Sequence, residues 1–141
     1  MCIRDRFMSG AYVGTDLTIA ADSTVTAKVM QLLHLKPRTG HAVRTGEFYA
    51  TDIAGPDLSG KYSFNTGSDT GIYAAESPDA IEPADKRSQT AFRYSENNTS
   101  AAVMHRGEVR SVVSGFPFET LLLQEERDRL MKQILDFILK K

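Results

Sequence analysis

The sequence predicts an α/β fold, in which strands lead through short loops into helices. Two passages predict it. Near the end of the chain, the apolar residues 109–113 run into the Ser-Gly-Phe-Pro-Phe-Glu segment 114–119, and a long amphipathic stretch comes next. Near the beginning, residues 7–13 give way to Gly-Thr-Asp at 14–16, and residues 22–35 have helical spacing. Because α/β folds usually bind ligands where a strand enters such a loop, both loops are candidate sites.

The first part of the chain predicts one strand and one helix. Residues 7–13 form a short apolar run typical of a buried strand end. In residues 22–35 the apolar side chains recur at the helical period, with Asp22 or Ser23 placed as N-cap and Pro37 closing the helix.

The middle of the chain predicts a β-rich meander, and the end predicts a helix. Short apolar or alternating runs between Gly, Pro and Asn turns predict strands at 41–51, 61–65, 72–75, 91–94, 101–104 and 109–113. Pro78 and Pro83 predict that residues 76–87 form a loop. The last helix has one apolar face, interrupted only by Arg127. That face comprises Leu123, Leu130, Met131, Ile134, Leu135 and Ile138.

Composition limits the possible functions. A chain of 141 residues has enough apolar material for one core, and its net charge of -1 without a long basic cluster argues against nucleic-acid binding. No apolar run approaches the roughly 20 residues of a membrane span. The single cysteine, Cys2, excludes an internal disulfide and a Cys-rich zinc site. His34 and His41 flank a helix end and are too isolated to predict a metal site, and no cofactor is predicted.

The N-terminal residues 1–6, Met-Cys-Ile-Arg-Asp-Arg, differ in character from the apolar run that begins at Phe7. They resemble the leader produced when sequencing-adapter DNA is translated, and we interpret them as an artefact. Residues 7–141 then form a single partial α/β domain that lacks its upstream strands and helices. A strand beginning at Phe7 would otherwise be an exposed sheet edge. No signal peptide is visible in this fragment.

Three segments together resemble a known group of proteins. They are Ser-Gly-Ala-Tyr-Val-Gly-Thr-Asp at 9–16, Arg-Tyr-Ser-Glu-Asn-Asn at 93–98 with Ser-Ala-Ala behind it, and Gly-Phe-Pro-Phe-Glu at 115–119. Their order and spacing, and the Pro-containing segment 77–83, resemble the C-terminal region of large secreted proteins, mostly from Bacteroidota, that carry the names xanthan lyase or golvesin-domain protein. The similarity covers residues 7–141.

This resemblance implies a truncated flavodoxin-like or class I glutamine-amidotransferase-like sheet. It also implies a secreted or periplasmic location and other domains of the same parent chain as partners. A working amidotransferase needs a cysteine on a tight strand-to-helix elbow, activated by a histidine. Ala11 or Tyr12 stands at that position here, so amidotransferase chemistry is not expected.

The leading hypothesis is a non-catalytic accessory or ligand-binding domain of a polysaccharide-processing protein, with carbohydrate as the candidate ligand. Its pocket would be formed by the loops at 9–16, 96–98 and 115–119. The candidate ligand-binding residues are Ser9, Tyr12, Asp16, Glu96, Asn98 and Glu119.

The main alternative is an enzyme acting on carbohydrate, either a hydrolase or a polysaccharide lyase. Ser9, His105 and Glu119 could form a nucleophile, base and orienting group, although the G-x-S-x-G elbow is missing. Three acidic residues at strand ends or loops could act as acid and base or hold a hard cation: Asp16, Glu96 and Glu119. A lyase would need a base and a group that neutralises a uronate, for which the chain offers Tyr12, Tyr94, Asn98, Arg93 and His105.

A third hypothesis is a purely structural scaffold. Each of these polar residues has an ordinary structural use, because acidic and amide side chains commonly cap helices or bond to loop amides. A wide separation of the three loops would favour this hypothesis.

Overall fold

The computed structural model describes residues 5–19 and 23–140, and its elements alternate between helices and short strands. In chain order they are β1 Arg6–Ser9, α1 Val13–Ile19, α2 Ser23–Leu33, β2 Leu35–Thr39, β3 Glu47–Ala50, β4 Lys61–Ser63, β5 Ala80–Pro83, β6 Ser88–Tyr94, β7 Ser100–Arg106, β8 Arg110–Ser114, a 3-10 turn Phe118–Thr120 and α3 Gln124–Leu139. The predicted combination of helices, a β-rich middle section and a C-terminal helix is confirmed.

The strands form one six-stranded mixed sheet and one two-stranded sheet. The main sheet has the order β1-β8-β7-β6-β3-β4, and the smaller sheet pairs β2 with β5. Only β1 and β8 run parallel; the other paired strands are antiparallel. In the part of the chain that the structure describes, β1 therefore lies at one edge of the main sheet.

The main sheet is covered on both faces. Successive side chains of a strand point to opposite faces, and Met104 and Val112 join one apolar cluster while Val103 and Val113 join another. The first cluster includes the buried face of α3, and the second includes residues of α2, β2 and β5. The result is a layered molecule with α3 on one face and the smaller sheet on the other.

Aromatic side chains fill the larger cluster. The rings of Phe48 and Phe116 lie 4.3 Å apart between centroids, and Phe64 stacks on Phe116 at 5.2 Å. Tyr62, Phe92 and Tyr94 surround them, and all six rings are at most 2% exposed. Large aromatic surfaces dominate the energetics of such a core. Phe116 ties the loop after β8 into it.

The strand predicted at 7–13 is shorter than expected, and this prediction is wrong in its second half. β1 ends at Ser9, and α1 begins at Val13 where a turn at 14–16 was expected. Tyr12 has a φ of 67°, which breaks the extended backbone, and the amide of Asp16 bonds to the Tyr12 carbonyl in the first helical turn.

The helix predicted over 22–35 ends earlier, and Pro37 does not close it. α2 ends at Leu33, His34 has a φ of 59°, and Pro37 lies inside β2. The predicted N-cap residue Asp22 lies outside the described residues, whereas Ser23 is the first residue of α2.

The loop predicted at 76–87 contains β5, which ends at Pro83. Pro37 in β2 and Pro83 in β5 are both tolerated, because each strand of the described two-stranded sheet has only one partner. A proline lacks a backbone N–H, and on such a strand that position can face away from the partner. The strand predicted at 72–75 is not formed. Asn65 instead holds this segment as a loop, because its side-chain amide donates to the carbonyls of Asp69 and Ile72.

Candidate functional site

The three predicted loops leave the same end of the main sheet. Ser9 of β1 is in register with Ser114 of β8, and Ser114 is in register with Ala102 of β7. The loops after β1 and β8 and the turn between β6 and β7 therefore start from neighbouring positions. We call this end of the sheet the loop end.

A cleft of about 490 Å³ opens at the loop end. Its walls come from the segment after β1, from the loop at 73–76 and from the segment after β8. We call it the tyrosine cleft, and it is lined by Gly10, Ala11, Tyr12, Tyr73, Ala74, Ala75, Glu76, Pro117 and Glu119. Tyr12 is 41% exposed and Tyr73 is 57% exposed, so both rings present apolar surface to solvent at the cleft.

Tyr73 and Glu119 form the polar contact of the tyrosine cleft. The Tyr73 hydroxyl donates a hydrogen bond to the Glu119 carboxylate. Desolvation of the hydroxyl, together with this bond and the negative charge of Glu119, raises the pKa of Tyr73 to about 12. At neutral pH Tyr73 is therefore a protonated phenol that donates to Glu119.

One wall of the cleft is fixed from beneath by Asp79. This carboxylate is fully buried and accepts hydrogen bonds from the amides of Gly14 at 2.7 Å and Thr15 at 3.2 Å, and from the Thr15 hydroxyl at 2.8 Å. It acts as a helix cap supplied from a distant part of the chain, because it satisfies free N–H groups in the first turn of α1. No local pattern marks Asp79 as a cap, because it stands between a proline and an alanine and its partners are more than 60 residues away.

The candidate residues divide into two groups. Tyr12 and Glu119 line the tyrosine cleft, and the Ser9 hydroxyl accepts a hydrogen bond from the amide of Phe118 behind it at 3.3 Å. Asp16 is exposed on α1 and does not line the cleft.

Glu96 and Asn98 serve the turn between β6 and β7. Glu96 accepts a hydrogen bond from the amide of Arg44 at 3.0 Å. Asn98 accepts one from the Tyr49 hydroxyl at 2.7 Å and has a φ of 57°. These contacts give both residues a structural use at the loop end.

The structure does not assemble Ser9, His105 and Glu119. Ser111 of β8 pairs with Arg6 of β1 on one side and with His105 on the other. His105 is therefore displaced from Ser9 by three residues along the strands, about 10 Å, and by two strands across, again about 10 Å. This separation excludes the hydrogen bond that a nucleophile and its base require.

A second cluster of titratable groups lies at the opposite end of the sheet, where β7 ends. The imidazole rings of His34 and His105 stack with centroids 3.5 Å apart. Asp85 lies against both, with Oδ2 2.8 Å from Nδ1 of His34 and Oδ1 3.5 Å from Nδ1 of His105. We call these three residues the histidine cluster. His34 is thus not isolated, but its partner is too distant in sequence for spacing to reveal it.

The histidine cluster has perturbed proton affinities. Burial and then the charge of His34 lower the pKa of His105, against an opposing effect of Asp85. Desolvation would raise the pKa of Asp85, but hydrogen bonds from His34, Ser88 and the Arg87 amide outweigh it and lower the value.

Ser88 does not make the histidine cluster a nucleophilic triad. Its hydroxyl is 2.9 Å from Nδ1 of His105, the same nitrogen that faces Asp85, and it also donates to Asp85. In a triad, serine and carboxylate occupy opposite ring nitrogens. Ser88 is also only 6% exposed, so no substrate carbonyl could reach it.

Comparison with family models, curated proteins and solved structures gives no match for this chain. Among the helices of residues 5–19 and 23–140, none is both long enough and apolar enough to cross a bilayer.

Proposed function

We propose that this chain is a non-catalytic accessory domain that binds carbohydrate in the tyrosine cleft. The parent would be a secreted bacterial polysaccharide-processing protein, as the resemblance to xanthan-lyase and golvesin-domain proteins implies. The observation that carries the proposal is the pair of exposed tyrosines, Tyr12 and Tyr73, on the walls of one open cleft. A tyrosine offers an apolar ring face with a polar tip, which suits a ligand that is itself apolar on its ring faces and polar at its edges.

The polar groups of the cleft favour a neutral or amino sugar over an anionic one. Glu76 and Glu119 both line the cleft, and its lining among residues 5–19 and 23–140 includes no cationic side chain. Carboxylates accept hydrogen bonds from sugar hydroxyls, whereas a uronate or pyruvate group would meet like charge. The Tyr73–Glu119 bond fixes one of these acceptors before any ligand arrives.

We infer a truncated flavodoxin-like or amidotransferase-like sheet, and the parallel pair β1 and β8, with α1 following β1, supports this. The further partners would be neighbouring domains of the same parent chain.

The enzymatic alternative finds little support in the cleft. A lyase base must be deprotonated at working pH, and with a pKa of about 12 Tyr73 stays protonated. An assay for unsaturated products from uronate-containing polysaccharide tests this alternative directly. Turnover by this chain would show that it is an enzyme and would contradict the proposal of a non-catalytic domain.

The binding experiment is a calorimetric and fluorescence titration with neutral tetra- to hexasaccharides and, separately, with uronate-containing ones. The chain has no tryptophan, so tyrosine emission reports on its rings. We expect Tyr73→Ala to weaken binding of a neutral oligosaccharide about tenfold, the equivalent of roughly 1.4 kcal/mol. Leu123→Ala is the matched control, because Leu123 is 58% exposed and does not line the cleft.

Two results would overturn the proposal. One is the absence of saturable binding to every oligosaccharide tested while the protein remains folded. The other is equal affinity of Tyr73→Ala, Tyr12→Ala and the unsubstituted chain, which would place any binding elsewhere.

A further inference from the structure

We propose that the histidine cluster is a pH-sensitive latch, which holds the smaller sheet and α2 on the main sheet at neutral pH and releases them in mildly acidic solution. Histidine is the side chain whose ordinary titration range lies closest to neutral pH, so a pair of packed imidazoles suits such a role. The latch is independent of the carbohydrate proposal, because it lies at the opposite end of the main sheet and its test needs no sugar.

The histidine cluster lies where the smaller sheet joins the rest of the molecule. His34 stands between α2 and β2, and Asp85 lies in the short connection from β5 to β6. The amide of Ala84 donates to the His34 carbonyl at 3.1 Å, which keeps these two junctions together. His105 belongs to β7, an inner strand of the main sheet. Contacts among the three side chains of the cluster therefore bridge the two sheets.

The arrangement of the rings accommodates one positive charge better than two. The imidazole planes of His34 and His105 are within 5° of parallel, with centroids 3.5 Å apart. A charge on His34 can pair with Asp85, whose Oδ2 lies 2.8 Å from Nδ1 of His34. A second charge on His105 would place two like charges face to face beside that one carboxylate, which disfavours the doubly protonated state.

His105 would take its second proton at the nitrogen that does not contact Ser88. The Ser88 hydroxyl donates to Oδ1 of Asp85 at 2.9 Å, so it accepts from Nδ1 of His105, also at 2.9 Å. Nε2 is then the nitrogen that is protonated in acid. It lies against the turn after β7, where a Cβ at Gly107 would be only 2.6 Å from it. Because the His105 side chain is only 8% exposed, water can solvate the new charge poorly.

The surrounding charges act in the same direction, with one exception. Burial, and then the charge of His34, lower the pKa of His105, and Arg87 adds to the lowering while Asp85 opposes it. Lys36 lines the cleft beside His34 and Asp85 and brings a further positive charge to this end of the sheet. The residues in register with His105 on the two neighbouring strands are neutral, namely Ser88 and Ser111.

Acid favours release because His105 binds a proton more weakly in the closed state than in the released one. Above about pH 6.5, the ordinary histidine value, the ring is neutral in both states and the latch contributes its full stabilisation. As the pH falls from that value through the lower pKa of the closed state, the released state binds the proton first. The contribution of the latch is therefore lost on the acid side of the ordinary value.

The layer that the latch holds has a smaller apolar contact than the opposite layer. It rests on a cluster formed by Leu33, Leu35, Ile81, Val103 and Val113. The other face of the main sheet carries the aromatic rings and α3. Segments with fewer buried apolar contacts open at free energies below that of global unfolding. We therefore expect acid to open the smaller sheet and α2 while the aromatic core stays folded.

The test is amide hydrogen exchange of the full chain at about pH 7.5 and about pH 5.0, with protection factors corrected for the intrinsic exchange rate. We expect protection of the β2 and β5 amides to fall about tenfold at the lower pH, and that of the β6 and β7 amides less than about twofold. In parallel, NMR titration of the three histidines should place the pKa of His105 below its ordinary value.

His105→Asn removes the titrating ring and should make the protection of β2 and β5 equal at both pH values, whatever the stability of the variant. His34→Asn keeps a residue type that tolerates the positive φ of this position and removes one of the two charges, so the acid effect should shrink to about threefold. His41→Gln is the control, because His41 is an exposed histidine outside the cluster, and it should keep the full effect. If His105→Asn fails to fold, His34→Asn decides alone, since the His34 side chain is partly exposed.

Three results would overturn the proposal. The first is equal protection of β2 and β5 at both pH values in the unsubstituted chain. The second is a loss of the same size in β6 and β7, which would indicate global unfolding. The third is an acid effect in His34→Asn as large as in His41→Gln. In each case the cluster would be a hydrogen-bonded network without a switching role.

Discussion

Asp79 shows how one buried residue can position a whole loop. Its carboxylate satisfies two amides and one hydroxyl at the start of α1, although it comes from a segment far along the chain. Hydrogen bonds to a charged group contribute about 1.5–3 kcal/mol each. The loop that carries Tyr12 is therefore held by a contact that no local sequence pattern encodes.

Removing this carboxylate should destabilise the protein strongly. We expect Asp79→Ala to lower the free energy of unfolding by about 3–5 kcal/mol, because buried donors at Gly14 and Thr15 would lose their acceptor. Urea denaturation measures the change. The exposed Asp52→Ala is the control and should shift stability by less than about 0.5 kcal/mol. Similar midpoints for the two variants would contradict the capping role.

The phenol of Tyr73 provides a readout of the tyrosine cleft. Glu119→Gln removes a negative charge beside the hydroxyl, so the pKa of Tyr73 should fall from about 12 toward its ordinary value of 10.0. Difference absorbance of tyrosinate between the two proteins across the alkaline range measures this shift. Tyr73→Phe in both backgrounds is the control, since it should abolish the difference. Superimposable titrations of the two tyrosine-containing proteins would show that the pair is not formed.

At the scale of elements, the end of α3 is tied to the sheet by charges. The Asp57 carboxylate forms salt bridges with the Arg106 guanidinium of β7, at 3.1 Å, and with Nζ of Lys140, directly after α3, at 3.3 Å. Burial alone would raise the pKa of Asp57, but the hydrogen bonds and charges of Arg106 and Lys140 outweigh it and hold that pKa below its ordinary value. A carboxyl group with a depressed pKa in the folded state stabilises the protein where it is ionised.

The lowered pKa of Asp57 makes its contribution to the free energy of unfolding depend on pH. The contribution of Asp57 is fully present above about pH 4, the usual aspartate range, and is lost as the pH falls through the lower folded value. Asp57→Asn should therefore cost about 1–2 kcal/mol at pH 7 and much less near pH 2. Urea unfolding at both values tests it. The control is Asp136→Asn, whose exposed pair with Lys132 should matter little at either pH.

The backbone just before β3 comes so close to the end of β4 that only a glycine fits there, at Gly46. A Cβ at Gly46 would lie 1.9 Å from the backbone carbonyl oxygen of Phe64, and that oxygen cannot swing away as a flexible side chain could. We expect Gly46→Ala to lower stability by about 1–3 kcal/mol. Gly71→Ala is the comparison, because its Cβ would meet only the side chain of Asp69 at 3.3 Å. Equal melting temperatures for both variants would contradict this account.

At the scale of the molecule, the aromatic core and the tyrosine cleft share one loop. Phe116 packs against Phe48, Phe64 and Tyr94, and Glu119 of the same loop reaches the cleft three residues later. The part of the tyrosine cleft that this loop forms is therefore anchored by the core.

Truncating this anchor should affect stability and binding together. Phe116→Ala should cost about 3–5 kcal/mol in unfolding free energy, since the ring is buried and its space cannot be refilled. Where the variant is still folded, its oligosaccharide affinity should also fall. Phe137→Ala is a matched control, because Phe137, on the buried face of α3, is as buried as Phe116 and does not line the cleft. Loss of affinity to the same extent in both would mean that the effect is one of global stability.

Much of the element order comes from local patterns. The strands predicted at 91–94, 101–104 and 109–113 correspond to β6, β7 and β8, and the apolar face of the last helix corresponds to α3, because alternation and helical periodicity are properties of short segments. The predictions that Pro37 closes a helix and that Pro83 lies in a loop are wrong. A proline fits in β2 and in β5 because each of these strands has only one described partner, which no local pattern reveals.

The sequence by itself determined the mixed helix and strand content, the approximate positions of the central strands and the loops that meet at the loop end. Only the tertiary structure decided that Tyr73 joins Tyr12 and Glu119, that Asp79 caps α1 and that His34 stacks on His105. The physical reason is range. Periodicity and turn chemistry act between residues a few positions apart, whereas these contacts join segments that come together only when the sheet and its covering layers have formed.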